Sequence, residues 1–295
     1  MLDLSRRQFL RSALASGAAT LAAGAIERRR ARAADAPHAE IQLGLVTYMW
    51  GADLDLPALL DTCGKGKLAG VELRSGHKHG VELSLDQAER REVRKRFEAS
   101  PVKMVGIGCA EEFHSPDPKK LAKAIENTRA YVKLSHDVGG SGVKVRPNDL
   151  PKDVATEKTI EQIGKSLNAV AEFGADYDQQ IRLEVHGGCA RLPIIKQIMD
   201  VATHPNVGVC WNSNASDLDA PGLEHNFNLV KNRLGATAHV KALDGYPFAE
   251  LMKLFVRAGY RGWWLIEAGG KPPADRVQAF VRLREQFDKL LSAAL

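Results

Sequence analysis

Polar side chains stand at the C-terminal ends of six of the eight short apolar runs of this 295-residue sequence. A carboxylate beside apolar core residues is costly to bury unless it is paired or binds a cation. The pattern therefore predicts a polar site, built for ion pairing or cation binding, that collects the ends of these runs. Its candidate residues are Glu72, Arg146, Glu184, His186, Asn212, His239, Lys241 and Glu267.

The elements that must position these residues alternate between short apolar runs and longer amphipathic segments. The runs are almost continuously apolar, as buried parallel strands are, and the segments between them have the 3.6-residue period of helices. We predict strands over residues 41–50, 70–75, 103–110, 142–147, 181–187, 207–213, 236–243 and 263–268.

Eight strand–helix units in about 255 residues match the length and count of a (β/α)₈ TIM barrel. A doubly wound open sheet is the alternative, but no GxGxxG motif follows the first strand. No Pro-, Gly- or Ser-rich linker divides the chain, so residues 34–295 are predicted to form one α/β domain. Active sites of TIM barrels lie at the C-terminal ends of the strands, which is where the polar residues fall.

Three short segments carry a resemblance to a known family. They are Leu183-Glu184-Val185-His186, His239-Val240-Lys241 and Leu265-Ile266-Glu267. Together they resemble the sugar phosphate isomerase/epimerase family, which has a xylose-isomerase-like TIM barrel. The resemblance implies one divalent metal, Mn²⁺ or Mg²⁺ first and Zn²⁺ or Co²⁺ as alternatives. The ligands that it implies, from strands 5 to 8, are Glu184, Asn212, His239 and Glu267.

Asn212 departs from the family pattern, which usually has an aspartate at this position. An asparagine still offers a carbonyl oxygen to Mg²⁺ or Mn²⁺. With two carboxylates instead of three, however, we expect the site to bind metal more weakly. Asp217 lies close enough in the sequence to be an alternative ligand.

The resemblance also implies a reaction, in which a proton next to a substrate carbonyl is removed and an enediolate forms. Glu184 and Glu267 are then the catalytic base and acid. Isomerisation, epimerisation and elimination share this first step, so a sugar isomerase or epimerase and a lyase or dehydratase both fit. The expected substrate-binding residues are Glu72, Arg146, His186, Lys241, Trp50 and Trp211. For the tryptophans, Trp264 included, packing in the core is the competing interpretation.

The first 33 residues hold seven arginines and two acidic residues, which accounts for the whole formal charge of +5. Arg6-Arg7, the apolar run over residues 13–26 and Ala31-Arg32-Ala33 resemble a twin-arginine export signal with its cleavage site. We therefore expect residues 1–33 to be removed and the product to be periplasmic, without membrane attachment. In that compartment free sugars and keto-sugars are the expected substrates.

Two other classes of protein compete with the enzyme interpretation. A nuclease resembling endonuclease IV shares the barrel, but it needs several metals and a basic surface for nucleic acid, whereas residues 34–295 are neutral. A non-catalytic barrel that binds carbohydrate is the second, and the missing aspartate keeps it open. The expected partner is thus a small sugar and not nucleic acid, and homo-oligomers are left open.

The chain has four cysteines, Cys63, Cys109, Cys189 and Cys210, and none has zinc-type spacing. Cys109 and Cys210 lie in apolar strand-like runs, where buried thiols are common. We expect buried or free thiols and not a disulfide framework.

Overall fold

Eight short parallel strands close into a barrel in the computed structural model, which describes residues 40–295. Each strand pairs with the next along the chain, and the last strand pairs with the first. The order confirms the predicted (β/α)₈ barrel and excludes the open doubly wound sheet. The strands are β1 (Glu40–Val46), β2 (Gly70–Arg74), β3 (Lys103–Glu112), β4 (Gly142–Arg146), β5 (Gln180–Glu184), β6 (Val207–Asn212), β7 (Leu234–Val240) and β8 (Arg261–Ile266).

An α-helix follows each strand and packs on the outside of the barrel. Many of the helices begin at an aspartate whose carboxylate accepts hydrogen bonds from the first backbone amides, as Asp55, Asp86, Asp117 and Asp275 do. The helices are α1 (Leu56–Lys65), α2 (Gln87–Glu98), α3 (Pro118–Asp137), α4 (Thr156–Ala175), α5 (Leu192–Val201), α6 (Leu223–Val230), α7 (Phe248–Arg257) and α8 (Arg276–Ala294). None of these helices is long and apolar enough to cross a membrane.

The layer between strands and helices is apolar and includes a cluster of aromatic rings near β6 and β8. Trp211 packs against Phe227 and Phe255, with ring centroids 5.6 and 6.4 Å apart, and Trp264 lies 5.4 Å from Phe255. Side chains of successive strand residues point to opposite faces. The strand residues that do not face this layer therefore point into the barrel, where the polar groups lie.

Strand boundaries differ most from the prediction at β1 and β7. β1 ends at Val46 rather than at residue 50, because residues 47–53 form turns beyond the last strand pairing. Trp50 therefore lies in a loop, where its indole donates a hydrogen bond to the Gly269 carbonyl at 3.2 Å. β7 begins two residues earlier and ends three residues earlier than predicted.

All four cysteines are buried and free, as predicted. The predicted export signal, the predicted cleavage site and the first residues of the predicted domain lie outside the described residues.

Candidate active site

Three side chains from β5, β7 and β8 meet at the C-terminal end of the barrel. Glu184 is the last residue of β5, His239 lies on β7, and Glu267 directly follows β8. One nitrogen or oxygen atom of each lies within 4.8 Å of the others. His239 Nδ1 is 3.3 Å from Glu184 Oε1 and 3.8 Å from Glu267 Oε1. Within residues 40–295 this is the one cluster of histidine, cysteine and acidic side chains that could hold a metal ion.

Glu72 lies behind this cluster, where it contacts the far side of the histidine ring. Its Oε1 is 2.9 Å from His239 Nε2, and both side chains are completely buried. The absence of a side chain at Gly108 makes room for it, since a Cβ there would lie 2.9 Å from Glu72 Oε1. This corrects the prediction that Glu72 binds substrate: the carboxylate does not line the pocket, and it orients the ring of His239 instead.

Lys144, on β4, belongs to the site although the sequence prediction did not include it. Its Nζ is 2.7 Å from Glu184 Oε2, and both side chains are buried. The signal was available in the sequence, since Lys144 stands two residues before Arg146 in an otherwise apolar strand. Residues i and i+2 of a strand share a face, so the two cations point into the barrel together.

Asn212, at the end of β6, joins the two glutamates of the cluster. Its amide nitrogen donates to Glu184 Oε1 at 3.0 Å and to Glu267 Oε2 at 3.2 Å. Asp217, the alternative ligand, is engaged elsewhere: its Oδ2 accepts hydrogen bonds from the Tyr246 hydroxyl and the Asn214 amide, each at 2.9 Å. Asn212 therefore occupies the fourth position of the cluster, and Asp217 does not reach it.

The two glutamates differ in their electrostatic surroundings. Burial acts to raise the pKa of Glu184, but the Lys144 ammonium and the His239 ring hold it well below its usual range. Burial raises the pKa of Glu267, and the charge on Glu184 reinforces this rise although His239 opposes it. Glu184 is thus the more readily ionised of the pair, and Glu267 the more readily protonated.

The pKa values of the two basic side chains are raised in spite of burial. Burial favours a neutral Lys144, but Glu184 and Glu72 overcome it, and the pKa of Lys144 is raised. For His239, burial again favours the neutral ring. The Cys210 sulfur and the carboxylates of Glu72 and Glu267 outweigh it, so the pKa of His239 lies well above its usual value.

A pocket of about 670 Å³ opens above the cluster. Its lining includes four of the predicted substrate-binding residues: Trp50, Arg146, His186 and Lys241. Tyr48, Arg74, Lys144, Asn214 and Asp244 also line it, and these were not predicted. The mixture of hydrogen-bond donors, carboxylates and one indole ring suits a small, hydroxyl-rich ligand.

Neighbouring side chains hold the polar walls of the pocket in place. Arg146 donates to Glu112 Oε1 at 2.6 Å, and His186 Nδ1 lies 2.8 Å from Asn148 Oδ1. Burial lowers the pKa of His186, and the charge of Arg146 adds to the effect although Glu184 opposes it. The ring of His186 is therefore neutral near pH 7 and can both donate and accept a hydrogen bond.

Trp211 does not reach the pocket, which corrects its prediction as a substrate-binding residue. It precedes Asn212 on β6, and because Asn212 points into the barrel, Trp211 points outward to Phe227 and Phe255. Trp264 is likewise buried in the aromatic cluster. Trp50 is the tryptophan of this group that lines the pocket.

The donor set of the cluster fits a divalent cation. Two carboxylates and an imidazole nitrogen converge, and oxygen and nitrogen donors of this kind bind Mn²⁺, Mg²⁺ and Zn²⁺. The contact from Glu72 to His239 Nε2 also has the arrangement of the carboxylate–histidine pairs that support metal ligands. A rotation of the Asn212 side-chain amide would place its oxygen where its nitrogen now lies, facing Glu184 and Glu267.

A family model described as xylose isomerase-like TIM barrel matches residues 64–286. No curated protein sequence matches the chain. Three solved structures illustrate the likeness of fold, and all three are aligned over 86% of this chain.

The first of the three is the IOLI protein with a bound zinc atom, which is 13% identical with a TM-score of 0.72 over 99% of its length. An L-ribulose 3-epimerase is 14% identical with a TM-score of 0.72 over 95% of its length. The 3-keto-D-glucoside 4-epimerase of E. coli is 12% identical with a TM-score of 0.67 over all of its length. At these identities the likeness shows a shared fold.

Proposed function

The chain belongs to the xylose isomerase-like TIM barrel family, and from that premise we propose that it is a metal-dependent isomerase or epimerase of a sugar or keto-sugar. The observation that carries the proposal is the pair of carboxylates, Glu184 and Glu267, which approach His239 at the floor of one polar pocket. The L-ribulose 3-epimerase and the keto-glucoside epimerase among the structures of similar fold support it.

The roles of the two glutamates follow from their surroundings. Glu184 is the ionised carboxylate, which suits it to accept a proton from the carbon next to a carbonyl. Glu267 is the carboxyl that more readily holds a proton, which suits it to return one to the substrate. Without metal, the Asn212 amide nitrogen donates a hydrogen bond to each of the two carboxylates. Return of the proton to the opposite face gives epimerisation, and its return to the neighbouring carbon gives isomerisation.

Glu184, His239 and Glu267 would hold the metal, with the Asn212 amide oxygen as the fourth ligand. Polarisation of a substrate carbonyl is the chemistry that Mn²⁺ or Mg²⁺ would supply here. Arg146, the neutral ring of His186 and Lys241 would bind substrate hydroxyl oxygens on the pocket wall.

Proton exchange with solvent tests this function directly. Free sugars and keto-sugars are incubated in D₂O with the protein and Mn²⁺ or Mg²⁺, and NMR follows the loss of a carbon-bound proton. The Glu267→Gln variant should lower the exchange rate by about 100-fold or more. Glu250→Gln, on the exposed surface of α7, is the matched control and should exchange like the wild type.

The products separate the branches of the reaction. A new sugar with the same mass indicates isomerisation or epimerisation, whereas release of a leaving group indicates a lyase. Binding of a sugar without any exchange would contradict the enzyme function and favour the non-catalytic barrel.

We also propose that the protein is exported by the twin-arginine pathway and acts on non-phosphorylated sugars in the periplasm. The arrangement of arginines, apolar run and cleavage site within residues 1–33 supports this. Replacing both Arg6 and Arg7 by lysine should leave the chain in the cytoplasmic fraction at full length. Unchanged export, or turnover of phosphorylated sugars alone, would contradict the proposal.

A further inference from the structure

Lys144 lies on β4 and places a positive charge next to the cluster of Glu184, His239 and Glu267. Its ammonium lies 2.7 Å from Glu184 Oε2, and the side chain is almost completely buried. Glu72 and Glu267 are close enough to add to the attraction. Lys144 therefore forms a buried ion pair with one of the carboxylates that a metal would need.

Both oxygens of Glu184 are already in contact with donors. Oε2 faces Lys144, while Oε1 accepts a hydrogen bond from Asn212 at 3.0 Å and lies 3.3 Å from His239 Nδ1. A cation that binds Glu184 competes with these groups for the lone pairs of the two carboxylate oxygens. The Lys144 ammonium is the strongest competitor, because it carries a full charge and makes the shortest of these contacts.

The balance of charge in the site also opposes the binding of a divalent cation. Three carboxylates, from Glu72, Glu184 and Glu267, face the Lys144 ammonium and the His239 ring. Asparagine at position 212 removes the fourth negative charge that an aspartate would bring. The Lys144 ammonium thus offsets part of the negative charge of these carboxylates, which lowers the electrostatic gain from binding a divalent cation.

We propose that Lys144 is an internal counter-ion that competes with the divalent metal for Glu184 and so lowers the metal affinity of the site. The site then alternates between a state in which Glu184 pairs with Lys144 and a state in which it binds metal. The inference rests on the metal site of the proposed function, but its test measures binding instead of turnover.

Calorimetric titration of the EDTA-treated full chain with MnCl₂ tests the proposal. Lys144→Met nearly keeps the length of the side chain and removes its charge. This variant should bind Mn²⁺ about 10–100-fold more tightly than the wild type, because changes to groups around metal ligands alter metal affinity by about this factor. Lys144→Arg keeps the charge and should bind like the wild type. Lys241→Met removes a lysine that lines the pocket outside the cluster, and it should change the affinity less than threefold, as expected of about one exposed charge.

A methionine beside Glu184 leaves a buried carboxylate without its partner, so Lys144→Met is expected to be less stable without metal. Lys144→Gln is the second variant, since a glutamine keeps a polar N–H group on the side of Glu184 but carries no charge. It should also bind Mn²⁺ more tightly, and Mn²⁺ should raise its melting temperature more than that of the wild type.

Equal or weaker Mn²⁺ binding by the folded Gln or Met variant would overturn the proposal. A wild-type protein that retains a full equivalent of metal after EDTA treatment would do the same. If no variant binds Mn²⁺, this inference and the dependence of the proposed function on Mn²⁺ both fail, while solvent exchange still decides whether the protein is an enzyme. If the affinities change as expected but no sugar exchanges, the inference stands and the proposed function fails.

Discussion

His239 Nε2 lies 2.9 Å from Glu72 Oε1, with neither side chain exposed to solvent. The two residues are 167 positions apart in the sequence and come from β7 and β2. Because this contact holds one ring nitrogen, the other nitrogen, Nδ1, is directed at Glu184 and Glu267. Glu72 is therefore a positioning residue, and its role can be separated from that of the residues that contact substrate.

Glu72→Gln should weaken Mn²⁺ binding by about 10–100-fold, because an amide is a poorer acceptor for the ring N–H and His239 loses part of its basicity. Titration with MnCl₂ measures the change. Glu250→Gln is again the exposed control. Metal affinity like that of the wild type would show that Glu72 does not act through His239.

Asn212→Asp should make stability dependent on metal. Without metal, the variant loses hydrogen bonds to Glu184 and Glu267 and gains a third carboxylate beside them, which should lower the free energy of unfolding by about 1–3 kcal/mol. With Mn²⁺ the added carboxylate becomes a ligand. Mn²⁺ should therefore raise the melting temperature of the variant by more than it raises that of the wild type.

Thermal unfolding in EDTA and in Mn²⁺ gives the stability without metal and the rise in melting temperature that the metal causes. Asn228→Asp, on the exposed face of α6, makes the same chemical change away from the site. An Asn212→Asp protein that gains no more from Mn²⁺ than this control would contradict the placement of Asn212 among the ligands.

Substitutions of the two tryptophans near the end of the barrel should have different effects, one on stability and the other on sugar binding. Trp211→Ala removes a fully buried indole from between Phe227 and Phe255, so it should cost about 3–5 kcal/mol of the free energy of unfolding. Trp50→Ala removes a partly exposed ring at the pocket and should mainly weaken sugar binding. Urea denaturation and sugar titration measure the two effects. The reverse result would place Trp211 in the pocket.

Asp217 should make the protein less stable as the pH rises. Burial raises its pKa from 3.8 to about 7, against the opposing hydrogen bonds from Asn214 and Tyr246. Between these two values the folded chain holds a proton that the unfolded chain releases. The free energy of unfolding therefore falls by up to about 1.4 kcal/mol per pH unit from this residue, and the fall stops above the folded pKa.

Asp217→Asn cannot ionise and should flatten this part of the profile. Urea denaturation at several pH values between 4 and 8 gives the slopes for both proteins. Asp153→Asn, at an exposed position, should keep the wild-type slope. If Asp217→Asn also keeps it, Asp217 is ionised across the range.

Much of the architecture was predictable from sequence because it depends on local patterns. Short apolar runs and helical periods are properties of neighbouring residues, and they predicted eight strands in a closed barrel. The polar residues at the run ends, such as Glu184, His239 and Glu267, could be assigned to one face because parallel strands end together. The turn after Val46 was missed, since apolar residues continue into the loop and only strand pairing decides where β1 ends.

Tertiary structure alone decided which of these residues touch. Trp211 could have been assigned to the outer layer by alternation with Asn212, once β6 was placed in register. The contacts of Glu72 with His239 and of Lys144 with Glu184 carry no local signal, because their partners lie on other strands. The sequence determined which side chains reach the end of the barrel. Closure of the barrel determined which charges meet there, because only closure brings β2, β4, β5 and β7 around one axis.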